Sequence, residues 1–192
     1  HRDLHSFPTR RSSDLLPRLP EAFSGLRIAQ LSDIHIGPWM TPEKVQEILE
    51  VVTAQSPDVL ALTGDYVLAY GRMTRSYMDE LDQVAQLLLR VSDDLPVVAV
   101  LGNHDHLYNP GQVRAALERG GAHVLMNSVY TLARGAARFH VAGLDDFYRG
   151  SPDLNAILDA FPPDECAMLL AHEPDFARSE EHTSELQSPN TI

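Results

Sequence analysis

The chain has 192 residues, a formal net charge of −12 and one cysteine, Cys166. This length fits a single domain able to bury a real core. The acidic balance argues against non-specific binding to a nucleic-acid backbone, and one cysteine rules out an internal disulfide and a cysteine-based zinc site.

The two ends read differently from the middle. His5 to Leu15 resembles the translation of a short-read sequencing adapter, and Arg178 to Ser188 resembles its partner adapter. Residues 1–15 and 178–192 are therefore set aside as artefact, leaving 16–177 as a partial natural domain whose true ends are missing. The excluded ends hold four Arg and five acidic residues, so the rest stays acidic, with 11 basic against 22 acidic residues. No apolar run approaches the ~20 residues that span a bilayer. Location, cytoplasmic or membrane-associated, stays open.

Strand-like and helix-like segments alternate. An apolar run over 26–31 leads into Asp33-Ile34-His35. Thr41 reads as an N-cap, Pro42 as the first helical residue and Glu43 as the acid of the first turn. Val45, Ile48, Leu49 and Val52 then form one helical face. The run 59–62 leads into Gly64-Asp65. A second helix covers about 75–91, with Met78, Leu81, Val84, Ala85 and Leu88 at helical spacing. Pro96 opens a strand over 97–101 that ends in Gly102-Asn103-His104-Asp105. Asn109-Pro110 starts a helix that Gly120-Gly121 closes.

From Ala122 onward the texture changes. Short strands are predicted over 123–125, 129–132 and 138–142, the last two joined as a hairpin. A short helix over 153–160 follows, then a strand over 167–170 that ends at Ala171-His172. A βαβαβα first half implies a parallel sheet with helices on it, and the second half reads as a second sheet. Two sheets face to face with helices outside give a four-layer α/β/β/α sandwich. Ligands of such sheets gather at the carboxyl ends of the strands, where the polar phrases stand.

Those phrases are hard to explain by packing. Asp33 and His35 lie two apart on an extended segment, so alternation turns both to one side. Asp65 ends the next strand, and a carboxylate there can bridge two ions about 3.5–4 Å apart. Gly64 allows close backbone approach. Asn103 offers a neutral amide oxygen to a second ion. His104 faces the substrate, and Asp105 orients it or raises its basicity from behind. His172 reads either as a further ligand or as a buried, hydrogen-bonded histidine. Asp33–His35 or Gly64–Asp65 alone is ordinary turn or cap chemistry, and Gly102 to Asp105 after a buried strand is more specific; all three in order, each at a strand end, indicate a hydrolytic metal centre. Two divalent ions of the Mn²⁺, Fe²⁺ or Zn²⁺ type suit His, Asp and Asn together. They would polarise a phosphoryl oxygen and supply a hydroxide, with His104 meeting the developing charge. His106 is expected to face water, His123 and His140 to be structural, and Cys166 to be buried. Trp39, Tyr66 and Tyr70 either line a substrate or lipid groove or anchor their loops.

At these residues the chain resembles the calcineurin-like metallophosphoesterase family. Its ordered motifs match Asp33/His35, Gly64/Asp65, Gly102 to Asp105 and, as a later histidine, His172. Gly143-Leu144-Asp145-Asp146 and His172-Glu173-Pro174-Asp175 resemble its bacterial phosphodiesterase branch, which is often membrane-anchored or exported and includes pyrophosphatases of lipid A synthesis. The resemblance implies the α/β/β/α fold and a phosphodiesterase or pyrophosphatase acting on a phosphorylated small-molecule or lipid-linked substrate, with peripheral membrane contact left open. The family's final Gly-His-x-His motif is absent, which implies a C-terminally truncated fragment of weak activity. The alternative is a non-catalytic scaffold of the same fold that binds other proteins.

Overall fold

The structure, a computed structural model, describes residues 18–68 and 75–173. Both adapter-like ends, Tyr70, Pro174 and Asp175 lie outside the described residues.

Four strands, β1 (Ile28–Leu31), β2 (Val59–Thr63), β3 (Val97–Val100) and β4 (Ala122–Val124), form a wholly parallel sheet in the order β1-β2-β3-β4. Helices α1 (Pro42–Ala54) and α2 (Arg75–Ser92) connect the first three strands. A six-residue helix, α3 (Asn103–Tyr108), and then α4 (Pro110–Arg119) lead to β4. The second sheet holds β5 (Ser128–Arg134), β6 (Ala137–Gly143) and β7 (Ala167–Leu170) in that order, with a short α5 (Leu154–Leu158) between β6 and β7.

The period of two in the strands builds the layers. Leu60 and Leu62 of β2, with Val97 and Ala99 of β3, pack with Val45 and Leu49 of α1, Leu81 and Val84 of α2, and Val113 of α4. The alternate residues Val59, Ala61, Val98 and Val100 meet Phe139 and Val141 of β6 and Leu170 of β7. A third cluster joins Ala142 and Leu144 to Ile157 of α5. The result is the predicted α/β/β/α order. Cys166 is buried, and the helix and strand cores fall where the periodicity puts them.

Two features differ from expectation. The strand at Ala122–Val124 joins the first sheet rather than the second, parallel to β3. Helix α4 makes it the fourth strand of the βα series. The other difference is α3, which begins at Asn103, where the sequence reading placed no helix before Asn109-Pro110. Gly102 is its N-cap in extended conformation, and Asp105 at the third helical position accepts the Gly102 amide at 2.9 Å, half of a capping box.

Candidate metal centre

The carboxyl ends of β1 and β2 stay zipped together beyond the strands. The amides of Asp33, His35 and Ile36 donate to the carbonyls of Gly64 (3.0 Å), Asp65 (2.9 Å) and Tyr66 (2.8 Å). Within this zip three non-glycine residues take positive φ: Asp33 (56°), His35 (46°) and Asp65 (59°). Asp33 and His35 are therefore not on the extended segment that alternation assumed; left-handed turns bring them to one side. Such conformations cost energy, and three of the five non-glycine residues with positive φ among the described residues gather here.

The two glycines let β2 and β3 close up. Gly64 has φ +96°, and a Cβ on it would lie 2.7 Å from the Gly102 nitrogen and 2.8 Å from His172 Nδ1. A Cβ on Gly102 would strike the Asp65 carboxylate.

Asp65 is the hub. Its Oδ2 lies 3.5 Å from His35 Nε2, 3.5 Å from His172 Nε2 and 3.9 Å from His104 Nε2. Asp33 Oδ1 stands 3.6 Å from His35 Nε2, and Ser32 donates to its other oxygen at 2.6 Å. The His35 and His104 rings meet edge to face at 4.8 Å. Two imidazoles are oriented alike. His35 Nδ1 lies 3.3 Å from the Val67 carbonyl and His172 Nδ1 lies 2.7 Å from the Thr63 carbonyl. A carbonyl only accepts, so Nδ1 keeps the proton and Nε2 faces the Asp65 carboxylate.

Burial would raise the Asp65 carboxyl, but the His172 hydrogen bond, the His104 amide and the positive charge of both imidazoles hold it below the usual range. His172 is raised to about 9, chiefly by its hydrogen bond to Asp65, against the effect of burial. These groups fit a divalent cation. Asp65 belongs to two donor sets, one with His35 and His104 and one with Asp33 and His172, each spanning less than 4.8 Å. Donors bound at about 2.1 Å in a tetrahedron stand about 3.4 Å apart, close to the spacing seen. Asn103, the first residue of α3, is half-buried beside His104.

Asp105 does something the sequence did not suggest. Fully buried, it accepts four backbone amides: Asp65 (2.8 Å) and Gly102 (2.9 Å) on Oδ2, Tyr66 (2.9 Å) and Val67 (3.3 Å) on Oδ1. It fastens the Gly64–Asp65 turn to the start of α3, a backbone role in place of the expected one on the His104 ring. Burial, and then the charge on Asp65, push Asp105 up to about 6 against the pull of those amides.

Other residues also correct the reading. His106 does not face water; its ring is nearly buried and paired with Asp145 at 2.9 Å. Tyr66 is no exposed groove residue, since its hydroxyl donates to the Val100 carbonyl at 2.9 Å inside the core. Trp39 does stand out, 82% exposed. His140 packs flat on Phe161 and His123 on Tyr130, as structural residues. Behind His172, buried Glu173 is raised to about 7, first by burial and then by its hydrogen bond with buried Asp146. The only advance signal for this pair was the Gly143 to Asp146 and His172-Glu173 phrases.

A pH test follows from His172. Its folded-state pKa lies above the unfolded 6.5, so its stabilisation is complete below about pH 6.5 and lost as pH rises through about 9, of the order of 1–3 kcal/mol. Urea midpoints in chelator should fall across that window for the wild type. A flat profile would contradict the Asp65–His172 pairing. Ligation needs neutral imidazole, so adding Mn²⁺ at pH 7.5 should release a proton, read as heat that varies with the buffer.

The model of the calcineurin-like phosphoesterase family matches residues 26–189. The chain is 29% identical over 161 residues to the uncharacterized metallophosphoesterase YkuE of Bacillus subtilis, covering 83% of this chain and 54% of that protein. It is 32% identical over 174 residues to a transmembrane protein with metallophosphoesterase domain of Danio rerio, covering 84% of this chain and 38% of that one. Over 92 residues it is 33% identical to the UDP-2,3-diacylglucosamine pyrophosphatase LpxG of Chlamydia muridarum, covering 46% of this chain and 26% of that one. The chain thus spans about half, or less, of the length of these relatives. Among the described residues no helix is long and apolar enough to cross a membrane.

Proposed function

Because the chain belongs to the calcineurin-like phosphoesterase family, we propose that it is a metal-dependent hydrolase of phosphodiester or pyrophosphate bonds, with two divalent ions held by Asp33, His35, Asp65, Asn103 and His172. The observation that carries this is the Asp65 carboxylate, common to two donor sets. When bound, Mn²⁺, Fe²⁺ or Zn²⁺ ions supply Lewis-acid charge and a water nucleophilic at neutral pH.

The chain's own residues do the rest. Asp65 sets the negative charge that gathers the cations. Carbonyls behind His35 and His172 fix which nitrogen each ring presents. His104, held by its amide on Asp65 Oδ1 at 2.9 Å, donates to the leaving oxygen or meets the charge that develops on the phosphoryl group. Asp105 keeps the loops in place and touches no substrate.

A lipid-linked phosphorylated substrate suits the surroundings. Trp39 and Tyr148 stand 82% and 64% exposed on the loops that follow β1 and β6, at the edge where the site lies. Such aromatics favour the boundary between apolar chains and water. The Chlamydia relative's name, a UDP-2,3-diacylglucosamine pyrophosphatase, points the same way.

The test is hydrolysis of bis(p-nitrophenyl) phosphate by the chain, with chelator and then with Mn²⁺. A low rate that chelator abolishes and Mn²⁺ restores is expected. His104→Ala should cut kcat about 10²–10⁴-fold, and the loss should grow for alkyl esters, whose leaving oxygen needs a proton more. Metal binding with no turnover on any phosphoester would replace the enzyme by the scaffold reading.

A further inference from the structure

Two side chains that the mechanism above does not use tie α3 to the second sheet. His106 Nε2 donates to Asp145 Oδ1 at 2.9 Å, and the two side chains are 8% and 7% exposed. Asp145 follows β6 and is a fixed post. Its oxygens also accept the amides of Asp146 (2.9 Å) and Ser151 (2.8 Å), and its own amide donates to Asn127 Oδ1 at 3.1 Å. Asn127, at φ 51°, accepts the Asp153 amide (3.0 Å) and donates to the Ser151 carbonyl (2.7 Å). Gly150 leaves room for this carboxylate, since a Cβ there would lie 2.6 Å from Asp145 Cγ.

Helix α3 has six residues, too few to hold its own shape in water. Asp105 bolts it to the first sheet through the Gly64–Asp65 turn, and His106 bolts it to the second. Residues three apart share a helix face, so His106 stands on the face of Asn103. A buried polar pair is weak evidence of stability for its own sake, because apolar packing serves as well or better. What a directional hydrogen bond adds is orientation. We infer that His106 and Asp145 are a positioning pair that sets Asn103 and His104 against the Asp65 centre. This rests on the metal-centre reading above.

The experiment compares the 192-residue chain with His106→Ala, Asp145→Ala, the double variant and His106→Gln, whose amide nitrogen reaches about where Nε2 does. The readouts are Mn²⁺ affinity by titration calorimetry and amide hydrogen exchange in the metal-free chain. The Kd for Mn²⁺ should weaken about 10- to 100-fold in either alanine variant, as loss of a partner behind a ligand does. The double variant should be no worse, and His106→Gln should sit close to wild type. Exchange should quicken over 103–108 while β2 and β3 keep their protection. Unchanged affinity and exchange in His106→Ala would overturn the proposal. So would loss of protection throughout the sheet without rescue by glutamine, which marks a merely structural role. A wild-type chain that binds no Mn²⁺ would instead remove the metal-centre reading itself, and this pair's role with it.

Discussion

Replacing Asp65 with asparagine is expected to empty the centre of metal while leaving the fold in place. Asparagine keeps an oxygen for the His104 amide, which Asp65 Oδ1 now accepts at 2.9 Å. It also tolerates the left-handed φ of 59° better than any other residue of that size. What it removes is the charge shared by both donor sets. Loss of a partner behind a ligand already weakens binding by about 10–100-fold, so Mn²⁺ affinity should fall by at least that much. Turnover should fall by about 10²–10⁴-fold, several kcal/mol of charge stabilisation at about 1.4 kcal/mol per tenfold. His172 supplies an independent check. Its hydrogen bond to Asp65 is the largest reason its pKa reaches about 9, so in the variant the ring should titrate near or below about 6.5, read by NMR. Unchanged metal affinity would show that Asp65 is not the hub; a His172 midpoint left near 9 would show that another group supports that ring.

The elements that could be read in advance were those whose pattern is local. β2 and β3 alternate between two cores, α1 and α4 carry a proline at their start, and the strand at Ala167–Leu170 was bounded to the residue. The layer order followed from the βαβ series. The ligand phrases were legible because Asp and His have no reason to end buried strands in packing alone. What was not legible depends on partners distant in the chain. Nothing local says that Asp105 turns toward amides some 40 residues earlier, or that His106 finds Asp145 39 residues later. The assumption of an extended Asp33–His35 segment failed because three left-handed residues, not strand alternation, aim those side chains. Thr41 fills the N-cap position of α1 without giving its helix a side-chain cap bond.

Asp105→Ala is the substitution expected to cost most stability. The carboxylate is 0% exposed and is the shared acceptor for amides of two loops that belong to different strands. A buried amide left without an acceptor costs about 1–3 kcal/mol. Four such groups would exceed what single substitutions do, but water can enter the space the side chain leaves. The expected loss is about 3–5 kcal/mol, at the diagnostic end of the range and a large part of a typical domain's 5–15 kcal/mol. Asparagine is the informative second variant. It offers an oxygen either to Asp65 and Gly102 or to Tyr66 and Val67, and turns an N–H₂ toward the other two donors. It should lose about 2–3 kcal/mol rather than recover the wild type. Urea midpoints at pH 7.5 in chelator measure both losses, at a pH where Asp105, pushed up to about 6, is still ionised. Mn²⁺ affinity should fall along with stability, because without the carboxylate the left-handed turn at Gly64 and Asp65 loses its tie to the start of α3. A loss below about 1 kcal/mol in the alanine variant, too small for even one orphaned amide, would mean that the β1–β2 zip alone carries the turn and that Asp105 is a passenger.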